Sequence, residues 1–168
     1  MKGKDYGYFT AIDVFGGFDM IFKHSEECSA IFEQEGMLTR HLDIFVRDET
    51  LHIHFNEPMV RPKDVRYKAY VFAPKLESAA MSGASRAIDW DTIATQNFLL
   101  AASGQADVNI SFDVKRLKIQ ASGSSLVEVS GNGGSVDIVA SGSAEVRHRG
   151  FENAQQSVSG SGSINRID

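Results

Sequence analysis

The sequence is that of an ordinary globular domain, with 168 residues of which 42% are hydrophobic and 23% are charged. The net charge of -5 and the lack of a basic run argue against binding to nucleic acid through a phosphate-reading face. The single cysteine, Cys28, excludes an intramolecular disulfide and a zinc site made of cysteines, and no apolar run is long enough to span a membrane.

The first half of the chain is predicted to consist of short β-strands. Apolar and polar residues alternate on both sides of a glycine pair at positions 16 and 17, which indicates two strands joined by a turn or bulge. Residues 28–35 and 51–55 alternate in the same way, so that in the second segment His52 and His54 face outward. No segment has a 3.6-residue apolar period, and we therefore expect very little helix.

The second half is organised by a recurring phrase, which consists of an aliphatic residue, any residue, a small residue and then Ser-Gly. The phrase ends at Gly83, Gly104, Gly123, Gly142 and Gly162, so that its period is about 20 residues. A fixed period of this length in a strand-rich sequence predicts a solenoid, in which each repeat forms one coil. Each of these glycines is predicted to be a structural turn, where the chain bends between two faces of a coil.

Positions that are equivalent in the three central repeats keep one residue character. These columns contain Phe98, Leu117 and Val136; Leu100, Ile119 and Ile138; Ala102, Ala121 and Ala140; and Val108, Val127 and Val146. Stacked coils predict such columns, because equivalent residues of neighbouring coils lie about 4.8 Å apart. The alanine column indicates that the interior is narrow beside each turn.

The first and last repeats depart from the columns, as the ends of a solenoid are expected to do. Glu77 begins the first repeat, and Gln156 and Gly160 occupy inward columns of the last one when Gly162 is taken as its turn. No amphipathic helix follows to cover the last coil. An open parallel edge is therefore predicted there, and with it self-association of the chain into an oligomer.

Three segments outside the repeats, together with the repeats, resemble a known family. They are FTAIDV followed by GGFDM at residues 9–20, DETLHI at residues 48–53, and YVFAPKLES at residues 70–78. In order and spacing the chain is similar to the auto-transporter adhesin head (GIN) domain family of bacterial cell-envelope proteins. The resemblance implies an exported protein and a single-stranded, right-handed parallel β-helix, and it brings no catalytic residues with it.

We expect one domain over residues 1–168, with irregular strands or a cap in residues 1–75 and regular Ser-Gly coils in residues 76–168. Because Met1 leads directly into strand-like sequence, an exported chain is expected to have lost its leader. Periplasmic or cell-surface localisation is then expected. Cytoplasmic localisation is the alternative, since a single cysteine is compatible with either compartment.

Asp89, Trp90 and Asp91 form the most distinctive candidate binding site. If this segment is a strand, both carboxylates share one face about 7 Å apart, with the single tryptophan opposite. Paired acids can serve glycoside hydrolysis or a metal-assisted lyase, and an aromatic ring beside them suits sugar binding. The alternative, which the sequence favours, is a solvated acidic face with Trp90 packed in the first coil.

His52 and His54 have the His-x-His spacing that can bind zinc or copper from one strand face. A third ligand would have to come from elsewhere in the chain, for example from His41 or His24. Because the sequence fixes no such partner, the two histidines are weak candidates, and no metal or other cofactor is predicted.

The function predicted from the sequence is a non-catalytic module of the bacterial envelope or surface, with an adhesin-like role in binding or assembly. Its partner would be a glycan or a surface protein. One alternative is an enzyme that acts on polysaccharide through Asp89 and Asp91. Another is a structural polymer whose coils stack end to end.

Overall fold

The structure is a computed structural model that describes residues 4–33, 42–55 and 67–167. Within these residues the chain forms fifteen β-strands and no helix. The strands are β1 (Ala11–Phe15), β2 (Phe18–His24), β3 (Ser29–Glu33), β4 (Leu42–Arg47), β5 (Thr50–Phe55), β6 (Tyr67–Ala73), β7 (Ser78–Ser82), β8 (Arg86–Ala87), β9 (Ile93–Ala102), β10 (Asp107–Ala121), β11 (Leu126–Ser130), β12 (Ser135–Ala140), β13 (Glu145–Arg149), β14 (Asn153–Val158) and β15 (Ser163–Arg166). Accordingly, no described segment is a helix that could cross a bilayer.

All fifteen strands belong to one curled sheet with two arms that share β10. Arm A has the order β3-β6-β2-β8-β10-β11-β13-β15, and arm B has the order β4-β5-β1-β7-β9-β10-β12-β14. Strand β10 belongs to arm A over residues 107–111 and to arm B over residues 112–121. Within its arm B part, the successive side chains of Lys115 and Arg116 both face outward and interrupt the alternation. The inward side chains of both arms form one continuous hydrophobic core.

The fold is all-β, as the sequence predicts, and its sheet is mixed. Most strand pairs are parallel, but β3 pairs with β6 and β4 pairs with β5 in the antiparallel sense. Strands β4 and β5 are joined by Asp48 and Glu49, which both have positive φ angles, of 51° and 58°. A two-residue hairpin of this kind can join antiparallel strands only, since a parallel pair needs a long crossover. The parallel pairing of arm B therefore ends at β5, which is parallel to β1 and antiparallel to β4.

Residues that form one column in the aligned repeats lie side by side on neighbouring strands of the sheet. Leu117 lies between Phe98 and Val136 in arm B, and Val127 lies between Val108 and Val146 in arm A. These side chains are at most 2% exposed. The periodic apolar residues are thus the interior of the sheet, and each contributes about 1.5–3 kcal/mol to stability through burial.

Four of the five predicted turn glycines adopt the conformation that a turn requires. Gly83, Gly104, Gly123 and Gly142 have φ angles between 64° and 69°. They also stack on one another, so that a Cβ added at Gly123 would lie 2.8 Å from the carbonyl oxygen of Gly104. Both facts favour glycine, because other residues rarely adopt positive φ and would clash here.

The prediction for the fifth turn, Gly162, is wrong, because Gly160 occupies it. The last repeat contains two successive Ser-Gly pairs, and the register of β12 with β14 aligns Ala140 with Val158. That register places Gly160, with a φ angle of 75°, over Gly142. Gly162 instead approaches Ala144, whose carbonyl oxygen would be 2.6 Å from an added Cβ.

Candidate functional site

The segment Asp89, Trp90 and Asp91 is a loop after β8, so the predicted strand alternation is wrong here. Strand β8 has only two residues, and Asp89 then adopts a positive φ of 50° that turns the chain. Trp90 is half-buried, and its Nε1 donates a hydrogen bond of 2.8 Å to the carbonyl oxygen of Met20. Its ring packs on Phe22 with 5.6 Å between the ring centroids.

Both carboxylates of this loop face the same cation on β2. Lys23 Nζ lies 3.1 Å from Asp89 Oδ1 and 3.6 Å from Asp91 Oδ1. Asp91 Oδ2 also accepts a hydrogen bond of 2.8 Å from the backbone N–H of His24. The hydrogen bond to Asp89 raises the pKa of Lys23 above its ordinary value. These contacts fasten the loop to β2.

A second ion pair joins the same two strands and was not predicted from the sequence. Arg86 on β8 donates from Nε and Nη2 to the two carboxylate oxygens of Asp19 on β2, each over 2.9 Å. Asp19 is only 7% exposed, so this fork is a partly buried charge pair. The hydrogen bond to Asp19 raises the pKa of Arg86. Only the pairing of β2 with β8 brings these distant residues together.

His52 and His54 lie on the outward face of β5, as predicted, and meet Asp13 of β1. Parallel pairing sets Asp13 beside His52. Asp13 Oδ2 is 3.2 Å from His52 Nδ1 and 3.2 Å from His54 Nε2. The ring of Phe45 stacks on His52 at a centroid distance of 4.8 Å.

Neither of the residues that the sequence offered as a third ligand joins the histidine pair among the described residues. His41 lies outside the described residues, and His24 ends β2 in arm A, far along the sheet order from β5. Asp13 is the residue that completes a group of three potential ligands. The sequence does show that Asp13 faces outward between Ile12 and Val14. It does not show that β1 is the neighbour of β5.

An open groove of about 900 Å³ crosses β9, β10, β12 and β14 on the outer face of arm B. Two rows of in-register side chains line it. The first row is Asn97, Arg116, Ser135 and Asn153, and the second is Leu99, Lys118, Asp137 and Gln155. Neighbours within a row lie about 4.8 Å apart, and the rows lie about 7 Å apart.

The groove begins at a local bend within arm B. Gln96 and Asn97 are successive exposed residues of β9, beside the similar bend at Lys115 and Arg116 of β10. These bends turn polar side chains toward the groove. The groove was not predicted from the sequence, although each bend is visible there as two successive polar residues that interrupt the apolar alternation.

The comparisons with known proteins agree with this architecture. The family described as "Putative auto-transporter adhesin, head GIN domain" matches residues 8–166, and the chain belongs to that family. The resemblance found in the sequence is thereby confirmed. None of the curated proteins matches the sequence significantly.

Solved structures from Parabacteroides and Bacteroides species share the fold. A "putative adhesin" from Parabacteroides merdae superposes with a TM-score of 0.66 at 16% identity, covering 99% of this chain and 95% of that one. A "putative adhesin" from Bacteroides fragilis gives the same four values. A "putative lipid binding protein" from Parabacteroides distasonis has a TM-score of 0.57 at 15% identity, covering 99% and 96%. At these identities the similarity concerns the fold alone.

Proposed function

We propose that the chain is a non-catalytic binding module of the bacterial envelope or cell surface, and that the groove of arm B holds a glycan strand. The observation that carries this proposal is the pair of in-register polar rows on rigid strands. Membership of the adhesin head family supports a binding role and an exported, periplasmic or surface location. The proposal rests on the chemistry of the rows.

The rows combine hydrogen-bond donors and acceptors in the way that sugar hydroxyls require. Asn97, Asn153 and Gln155 each offer an amide donor and acceptor, Arg116 and Lys118 donate, and Asp137 accepts. A hydroxyl group both donates and accepts, so it can pair with every member of this set. Repetition along the ladder suits a polymer, because each step presents at least one polar side chain at the same spacing.

A lipid chain or an apolar protein surface fits the groove less well. Among the groove residues, Leu99 is the one large apolar side chain that is exposed, at 39%. A lipid tail laid over the rows would leave charged and amide groups without hydrogen-bond partners, which is costly. Protein interfaces usually centre on aromatic and aliphatic anchors, which these rows do not supply.

We also propose that residues 1–168 form a single domain and that the two arms wind as a single-stranded, right-handed parallel β-helix. The strands before and after residue 75 support one domain, because β1 pairs with β7 and β2 pairs with β8. The paired columns at a period of about 20 residues support one coil for each repeat.

The groove proposal is tested by a glycan array with wild-type protein and three variants. Arg116→Ala and Lys118→Ala each remove a donor from the rows, and we expect either to weaken binding of the best glycan about tenfold. Arg149→Ala is the matched control, since Arg149 is an exposed arginine on β13 in arm A, and it should bind like wild type. Equal binding by all four proteins would contradict the proposal, as would binding of phospholipid vesicles in place of glycans.

The enzyme alternative, with Asp89 and Asp91 in the active site, is tested with the same glycans. Release of reducing ends by wild-type protein that stops in the Asp89→Asn variant would support catalysis. We expect no release. Glycan binding by Asp89, Trp90 and Asp91 is the alternative to binding in the groove, and a loss of glycan affinity in the Trp90→Phe variant would support that alternative.

The polymer alternative rests on the open end of the sheet. All six residues of β14 are exposed, including Val158 at 45%, and β14 and β15 end their arms among the described strands. Such edges can pair with another chain. Sedimentation over a concentration series tests this, with Val158→Lys as the variant that should dissociate any oligomer. A monomer at all concentrations would contradict the polymer.

A further inference from the structure

The outward face of β1 and β5 carries three metal-ligating side chains that the groove does not use. We propose that Asp13, His52 and His54 form a binding site for a divalent transition-metal ion, and that zinc is the ion best matched to it. One donor atom from each of the three residues lies within 4.8 Å of the other two. The proposal is independent of the glycan groove.

Two of the three separations between donor atoms are close to those of a tetrahedral metal site. Zinc bonds of about 2.0–2.2 Å at tetrahedral angles separate neighbouring donor atoms by about 3.3 Å. Asp13 Oδ2 lies 3.2 Å from each of the two imidazole nitrogens. An ion can therefore enter between the three atoms after small rotations of the side chains, without movement of either strand.

The backbone beneath the site is held by the core. Ile12 and Val14 flank Asp13 in β1, and Ile53 lies between the two histidines in β5; all three are at most 1% exposed. Strand β1 is paired on both sides, with β5 and with β7, and the other edge of β5 is paired with β4. Ligands on such strands keep their relative positions before the metal arrives, which favours binding.

The donor set selects the class of ion. Two imidazoles and one carboxylate suit zinc or copper, whereas calcium and magnesium prefer sites made of oxygen atoms. The three side chains are 21–35% exposed, so a water molecule can complete the coordination. Phe45 covers one face of the His52 ring and holds its orientation.

The same three side chains also contact one another when no metal is bound. Each histidine can then donate a hydrogen bond to Asp13 Oδ2. Hydrogen bonds alone would also explain distances of 3.2 Å. A metal site and a purely hydrogen-bonded cluster therefore differ in whether the protein binds metal ions through these residues. A binding experiment separates them.

The test is calorimetric titration of untagged, EDTA-treated full-length protein with zinc chloride. We expect one zinc ion per chain. His52→Gln, His54→Gln and Asp13→Asn should each weaken binding at least tenfold. His24→Gln is the matched control, because it removes a histidine of arm A that lies outside the group, and it should bind zinc like wild type.

Two results would overturn the proposal: no saturable heat with wild-type protein, or wild-type affinity in both histidine variants. Circular dichroism and melting in EDTA establish that each variant is folded. A second measurement needs no variant, since cobalt(II) in a tetrahedral site absorbs strongly in the visible range. Wild-type protein should show that spectrum with cobalt chloride, and the weak spectrum of the octahedral aqueous ion would contradict the site.

Discussion

The repeat region, residues 76–167, and the region before it are built by different rules. In the repeats each strand pairs with the strand one coil away, so neighbours in space are about 20 residues apart. In the earlier region the contacts that matter join distant residues. Asp13 meets His52 across 39 positions, and Lys23 meets Asp89 across 66. Regular stacking therefore produces long rows of evenly spaced side chains, whereas long-range pairing produces compact clusters.

The difference bears on what each region can bind. A row such as Asn97, Arg116, Ser135 and Asn153 repeats at the ladder spacing and suits an extended ligand. A cluster such as Asp13, His52 and His54 converges on one point and suits an ion. The two proposals above follow this division.

The largest expected effect is on the core of the repeats. Ile119→Ala removes a fully buried side chain from the column between Leu100 and Ile138, and should lower the free energy of unfolding by about 2–5 kcal/mol. Val139→Ala is the control in the adjacent coil, because Val139 is 42% exposed. Urea denaturation measures both variants. Equal losses would contradict the inward and outward assignment of the strands.

The next effect concerns the ion pair between β2, in the earlier region, and β8, at the start of the repeat region. Arg86→Ala removes the guanidinium group that donates two hydrogen bonds to the buried carboxylate of Asp19. We expect a loss of about 2 kcal/mol in the free energy of unfolding. The double variant Asp19→Asn with Arg86→Ala should recover part of this loss, since no charge then remains buried. A double variant that is less stable than the sum of both single changes would contradict this account of the pair.

A smaller effect is expected at the turns. Gly123→Ala places a Cβ on a residue with a φ of 68°, against the carbonyl oxygen of Gly104, and should cost at least about 1–2 kcal/mol. The neighbouring exposed Ser124→Ala should change stability by less than about 0.5 kcal/mol. Melting temperatures of the two variants compare them directly. A neutral Gly123→Ala would show that the turns tolerate a side chain.

The smallest effects belong to the acidic loop. Asp91→Ala removes the acceptor for the backbone N–H of His24 and should cost about 1 kcal/mol. Asp89→Asn breaks only an exposed ion pair, since its side chain is 74% exposed and asparagine tolerates the positive φ at this position, and it should cost less than about 0.5 kcal/mol. Thermal unfolding separates the two. A larger loss in Asp89→Asn would reverse the roles given to the two carboxylates.

Local patterns in the sequence predict the repeats well, because there the spatial neighbour is also the periodic neighbour. Aligning the glycines is enough to pair Leu117 with Phe98 and Val136. The same reasoning fails at Gly160 and Gly162, where two Ser-Gly pairs compete and only the register of β14 decides between them. The outward direction of His52 and His54 also follows from alternation alone.

The clusters could not be predicted, because their residues meet through strand pairings that no local pattern records. Nothing in the sequence near Asp13 indicates that β1 lies between β5 and β7. Alternating polar and apolar residues predict a strand at Asp89, where the structure has a loop. Its positive φ and the hydrogen bond from Trp90 to Met20 are tertiary features.

The central claim is that the rows of arm B, and not the acidic loop, hold the glycan. Chemical-shift mapping by NMR tests it most directly, with ¹⁵N-labelled protein and the oligosaccharide that binds best on the array. We predict that the shifted amides cluster around Asn97, Arg116 and Lys118, and along the same rows in β12 and β14. Shifts confined to residues 89–91 and the facing part of β2 would contradict the claim.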